Sequence, residues 1–70
     1  MSKVAAPVTG TVWKIQVQVG DSVNEAQTLV ILESMKLEMP VEAPSSGKVG
    51  KIHVTEGQAV EEGDVLVSLE

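Results

Sequence analysis

The sequence predicts an all-β fold, a small flattened barrel or two-sheet sandwich built about a pseudo-twofold axis. Three observations carry that expectation. The apolar residues are mostly branched aliphatics, 13 Val, three Ile and five Leu in 70 residues, with a single Trp and neither Phe nor Tyr. Side chains of this kind suit a pleated, half-buried surface. A shift of 37 positions lays Ala6–Glu33 on Ala43–Glu70 without a gap, and 14 of the 28 aligned positions are identical. Finally, apolar residues alternate over short runs, and no longer segment holds helical spacing.

Each copy of the repeat reads alike. Pro7 and Gly10, or Pro44 and Gly47, introduce an extended run, Thr11–Val19 or Lys48–Glu56. Ile15, Val17 and Val19 alternate in the first run and Ile52 and Val54 in the second, the period of a half-buried strand. Val12 and Val49 fall out of that phase, which predicts a bulge or bend early in each strand. Gly20-Asp21-Ser22 and Gly57-Gln58-Ala59 then turn the chain. A polar loop follows, anchored by Val23 or Val60, and the copy closes with a strand, Thr28–Leu32 or Val65–Leu69. One such unit is too small to bury its own apolar face; two copies facing each other bury both and leave few free edges.

Composition narrows the function. Ten acidic residues stand against five lysines and no arginine, a net charge of −5. That balance repels a phosphate backbone, so nucleic acid is not an expected partner. The longest unbroken apolar run, Leu29–Leu32, falls far short of the roughly 20 residues of a membrane span. No apolar signal core precedes Pro7, and the expected location is the cytoplasm. With one histidine and no cysteine, neither a metal site nor a nucleophilic triad is expected. A single non-catalytic domain spanning residues 1–70 is the reading that remains.

The repeat leaves Ser34–Glu42 unmatched, and Lys36 lies within one residue of the midpoint of the chain. In a pseudo-twofold fold the segment joining the copies crosses near the axis, which makes this region a hairpin tip. Met35, Leu37, Met39 and Val41 alternate with Lys36, Glu38 and Glu42, as a strand leaving the tip would. The tip nevertheless lacks the Gly, Asn or Asp that two-residue hairpin turns normally use. A turn that breaks its own local chemistry marks a candidate functional site. Lys36 stands between Glu33 and Glu38, an acidic setting unlike that of a Schiff-base or general-base lysine. An exposed amine on a rigid support suits modification by another enzyme; an ordinary solvated lysine is the plain alternative.

Glu33-Ser34-Met35-Lys36-Leu37-Glu38-Met39 resembles the attachment motif of biotinyl/lipoyl carrier domains, Glu-Ala-Met-Lys-Met in its common form. Ala6-Pro7 with Gly10, Ala43-Pro44 with Gly47, and the Gly20-Asp21 and Gly63-Asp64 steps match the same family, so the likeness covers about residues 4–70. It is closest to the short, free-standing biotin carboxyl carrier type that serves acetyl-CoA carboxylase. The resemblance implies an eight-stranded barrel-sandwich of two four-stranded antiparallel sheets, with Lys36 on an exposed turn and the termini at the opposite end. It implies biotin joined covalently to Lys36 by a biotin protein ligase, with Glu33, Met35, Leu37 and Glu38 as flanking recognition residues. A biotin carboxylase would load the tethered ring and a carboxyltransferase would unload it, with acetyl-CoA as the first expected acceptor. The carrier itself is expected to be a monomer.

Ser34 and Leu37 replace the commoner Ala and Met, and neither copy of the repeat carries the protruding loop of many bacterial acetyl-CoA carboxylase carriers. Carriers of other biotin-dependent carboxylases and decarboxylases share that plainer form. Two further readings are a lipoyl or dual biotin/lipoyl carrier, whose lysine usually lies between Asp and Ala, and an unmodified adaptor domain. His53 is expected to be an exposed strand residue. Trp13, which matches Gly50 in the repeat, is expected either on the surface or beneath the end remote from the lysine.

Overall fold

The computed structural model describes residues 2–70; Met1, the first residue of the expected domain, lies outside the described residues. Eight strands follow in order: β1 (Ser2–Ala5), β2 (Gly10–Ile15), β3 (Ser22–Val23), β4 (Thr28–Ser34), β5 (Leu37–Glu42), β6 (Gly47–Ile52), β7 (Ala59–Val60) and β8 (Val65–Leu69). They form two antiparallel sheets of four, ordered β1-β8-β6-β3 and β5-β4-β2-β7. Adding the repeat shift to β1, β2, β3 and β4 gives β5, β6, β7 and β8, so each sheet order maps onto the other. Both copies contribute to both sheets, and neither forms a lobe of its own.

Symmetry extends to the loops. Gly20 N–H donates to Val49 O at 2.8 Å, and its mate Gly57 donates to Val12 O at 2.7 Å. Ala6 N–H reaches Asp64 O at 2.8 Å, and Ala43 N–H reaches Gln27 O at 2.9 Å. Side chains follow the same rule even where identity is lost. Asp21 Oδ2 accepts from Gln18 N–H, and Gln58 Oε1 accepts from Thr55 N–H. Gln27 and Asp64 likewise accept from Asn24 and Glu61. Carboxylate and amide oxygens are interchangeable there because the turn requires only an acceptor.

The core lies between the sheets and is almost wholly aliphatic. Leu29, Val30, Leu32, Val49, Leu66 and Val67 are completely inaccessible, and no polar side chain is buried with them among the described residues. The expected bulges are present: register slips between Val12 and Lys14 against β4, and between Val49 and Lys51 against β8. Trp13 and Gly50 are the extra residues. They turn the ladder so that Val12 and Val49 point inward along with Ile15 and Ile52.

Four expectations need correction. The long runs Thr11–Val19 and Lys48–Glu56 end as strands at Ile15 and Ile52. Past those points the chain leaves its sheet: Gln16 and His53 make one more bond each, to Leu29 O and Leu66 O, and then the backbone turns across the sandwich. Val17 and Val54 still enter the core, but Val19 is 62% exposed and belongs to the turn before Gly20, outside the alternation assigned to it. The loops anchored by Val23 and Val60 contain the short strands β3 and β7, which pair with β6 and β2. His53 is exposed as expected, though just beyond β6 rather than within it, with its Nε2 2.7 Å from Ser68 Oγ.

Candidate functional site

Successive strands exchange sheets at every connection but one. Only β4 and β5 are joined within a sheet, and the ladder from Thr28↔Glu42 closes at Ser34↔Leu37. Met35 and Lys36 alone form the loop. Their φ angles are 54° and 67°, both in the left-handed region that a type I′ hairpin turn demands. Asn-Gly is the usual sequence for this turn; with Met-Lys, each residue carries about 1–2 kcal/mol of backbone strain. The sequence identifies the tip and its anomalous chemistry; the positive φ angles are what the structure adds.

The hairpin projects beyond the core. Val30↔Val41 and Leu32↔Met39 are the last rows backed by the opposite sheet; Val41 is buried and Met39 half-buried. Leu37 is already 67% exposed and Met35 92% exposed. The two rows beyond Leu32↔Met39, with a strand rise of about 3.3 Å per residue, place the turn roughly 10 Å past the packed region. Lys36 is exposed at its apex.

Glu33 and Glu38 occupy directly opposed positions on the outer face of this sheet, one row below Ser34↔Leu37. Like charges placed so are unfavourable in a ladder. Strain, exposed apolar side chains and opposed carboxylates therefore coincide at the tip, none of them useful to folding. The structure thus brings together all five residues singled out from the sequence, Glu33, Met35, Lys36, Leu37 and Glu38, within one turn and its flanking rows.

Gly10 supports the base of this hairpin. A β-carbon there would lie 2.6 Å from Glu33 O and 3.4 Å from Ser34 Cβ, so only glycine lets β2 approach β4 so closely. Ala26 was not anticipated from sequence. It has a φ of 71°, where its repeat mate Gly63 has 94°. The Ala26/Gly63 pairing within the repeat was the available signal.

What this arrangement offers chemically is an amine and little else. Among the described residues no group of three metal-ligating side chains occurs. Two surface depressions, one between Lys3–Pro7 and Pro40–Pro44 and one over Gly50, Lys51 and Ser68–Glu70, are not lined by Lys36. What the tip presents is an exposed primary amine at the apex of a two-residue turn whose backbone is fixed by the β4–β5 ladder. Trp13 is exposed on the outer face of the same sheet, with Lys14 Nζ 5.7 Å from its ring centroid.

Residues 1–69 match the biotin/lipoyl family described as "Biotin-requiring enzyme". Over 38 residues the chain is 44% identical to the biotin/lipoyl attachment protein of Bacillus subtilis (strain 168), covering 54% of this chain and 52% of that one. It is 50% identical over 36 residues to the methylmalonyl-CoA carboxyltransferase 1.3S subunit of Propionibacterium freudenreichii subsp. shermanii, covering 51% of this chain and 29% of that one. Among solved structures, the urea carboxylase of Kluyveromyces lactis superposes with a TM-score of 0.94 at 39% identity, covering 99% of this chain and 6% of that one. The matched stretches thus span from about half of a short relative to a small part of a long enzyme. No helix among the described residues is long and apolar enough to cross a membrane.

Proposed function

The chain belongs to the biotin/lipoyl attachment family, a non-catalytic carrier module, and on that premise we propose that residues 1–70 form one biotinyl domain carrying biotin on Lys36. The observation that supports this most is the strained, protruding Met35-Lys36 turn, which lies outside the repeat and departs from ordinary turn chemistry. A biotin protein ligase joins the Lys36 Nζ to the biotin carboxyl group as an amide. The bond forms with loss of the elements of water, which ATP takes up on cleavage to AMP and pyrophosphate. Glu33, Met35, Leu37 and Glu38 surround the amine and form the recognition surface.

Biotin, once bound, accepts and gives up a carboxyl group; the chain's own contribution is to hold the point of attachment clear of the core. Tethering makes the second encounter intramolecular, which raises effective concentration. Partners of this domain are a biotin carboxylase and a carboxyltransferase, supplied by other chains or domains. Relatives named for urea and for methylmalonyl-CoA favour the broader assignment, a carrier in some biotin-dependent carboxylase system. Acetyl-CoA carboxylation in the cytoplasm is the narrower form of the proposal.

Intact-mass spectrometry of the chain from its native cell tests the assignment. A biotin-sized increment that disappears in Lys36→Arg is expected. A lipoyl-sized increment would replace biotin by lipoate, and an unmodified chain in cells with active ligase would leave only an adaptor role. Copurification with a carboxyltransferase, followed by assay with a panel of acceptors, identifies the substrate.

A further inference from the structure

The internal repeat provides a control for asking which surface residues the fold itself requires. On the outer face of the sheet bearing Lys36, Lys14, Ile31 and Pro40 form a row across β2, β4 and β5, with Trp13 beside Lys14 in the bulge. The equivalent row on the other sheet is Lys51, Ser68 and Lys3, with Gly50 in the bulge. The same backbone thus folds with Gly for Trp and Ser for Ile. Pro40 and Lys3 both lie on edge strands, where each discourages edge-to-edge pairing, so the weight falls on Trp13 and Ile31. Trp13 is 41% exposed and is the chain's one aromatic residue.

Charge separates the two faces as well. Glu33, Glu38 and Glu42 flank the Trp13–Ile31 patch on its β4–β5 side, and Lys14 Nζ lies 5.7 Å from the Trp13 ring centroid. The opposite face carries Lys3, Lys48 and Lys51 around Glu70. An apolar centre with a polar rim is the anatomy of a protein-docking surface, and Trp is among the residues most enriched at its energetic centre.

We propose that the outer face of the β5-β4-β2-β7 sheet, centred on Trp13 and Ile31 and flanked on its β4–β5 side by Glu33, Glu38 and Glu42, is the docking surface for the enzyme that modifies Lys36. The matching surface on that enzyme is apolar at its centre and lined by Lys and Arg. Geometry favours this occupant over enzymes that act on the loaded group. An unmodified lysine reaches only as far as its four-carbon stem, so the modifying enzyme must come against the hairpin itself. Once loaded, the arm extends the reach and relaxes that need. This inference rests on the carrier reading of Lys36.

The test is steady-state biotinylation of the purified chain by a purified biotin protein ligase with biotin and ATP, varying the concentration of the chain. Trp13→Gly/Ile31→Ser, which copies the opposite face, is expected to raise KM about tenfold, the effect of losing one modest hot spot, with kcat within about twofold. Trp13→Gly alone provides the same comparison should the pair fail to fold, and thermal unfolding checks each variant. Glu42→Lys is expected to alter KM more than Glu62→Lys, which makes the same change in net charge on a loop. Unchanged KM in the Trp13 variants, or an equal rise with Lys51→Ala on the other face, overturns the docking surface. A wild-type chain that takes no label at Lys36 overturns the carrier reading, and the docking proposal with it.

Discussion

At the scale of single residues, Met35, Lys36 and Ala26 share a property: each holds a positive φ without being glycine. At Ala26 nothing nearby uses the strain, and its repeat mate is Gly63. Ala26→Gly is therefore expected to stabilise the chain by about 0.5–1 kcal/mol, the relief of left-handed strain less the added entropy of the unfolded chain. Urea denaturation measures it. Met35→Asn places the preferred residue at the first turn position and is expected to stabilise by about 1 kcal/mol while slowing biotinylation. Faster labelling in that variant would count against Met35 as a recognition residue. Lys36→Arg is expected to leave unfolding unchanged, since the side chain is exposed, and to abolish labelling. Exchanging Met35 and Lys36 turns the amine toward the other side of the tip and is expected to abolish labelling too.

At the scale of elements, the critical contact is between β2 and the base of the β4–β5 hairpin. Gly10→Ala drives a methyl group against the Glu33 carbonyl and is expected to cost about 1–3 kcal/mol, displacing the tip. Gly50→Ala meets Glu70 Cγ at 2.7 Å, but that exposed side chain can swing aside, so the variant should unfold at nearly the wild-type temperature. Much at this scale was legible in the sequence. The bulges could be read because Val12 and Val49 break the phase of Ile15 and Ile52, and the hairpin because Lys36 bisects the repeat. The early ends of β2 and β6 were not legible. Val17 and Val54 keep the strand period in burial after the ladder has ended, so hydrophobic pattern alone extends the strand too far. Strands β3 and β7 were hidden for the opposite reason: two residues are too few to show a period. Of the candidate site, the residues could be read from the motif, while the positive φ angles could not, since Met and Lys have no preference for them.

At the scale of the whole molecule, pseudo-symmetry makes energetic predictions in pairs. Leu29 and Leu66 are repeat mates, and both are fully inaccessible. Each Leu→Ala substitution is expected to cost about 2–5 kcal/mol, and the two costs should agree within about 1 kcal/mol in the standing spread of such values. A domain this small has about 3–5 kcal/mol in reserve, so either variant is expected to be largely unfolded near body temperature by circular dichroism. The same symmetry decides what lies at each end. From Leu37 strand β5 runs away from the tip, Ala43–Ser46 cross between the sheets, and Gly47 arrives with its β-carbon position 3.0 Å from Glu70 O. Ser2 pairs with Leu69 at that far end, and the long dimension of the molecule is 30 Å. In engineering terms this is a short rod with its handle and its reactive point at opposite ends. A linker joined before Ser2 or after Leu69 leaves the amine facing outward, so immobilisation in a single orientation is built into the fold.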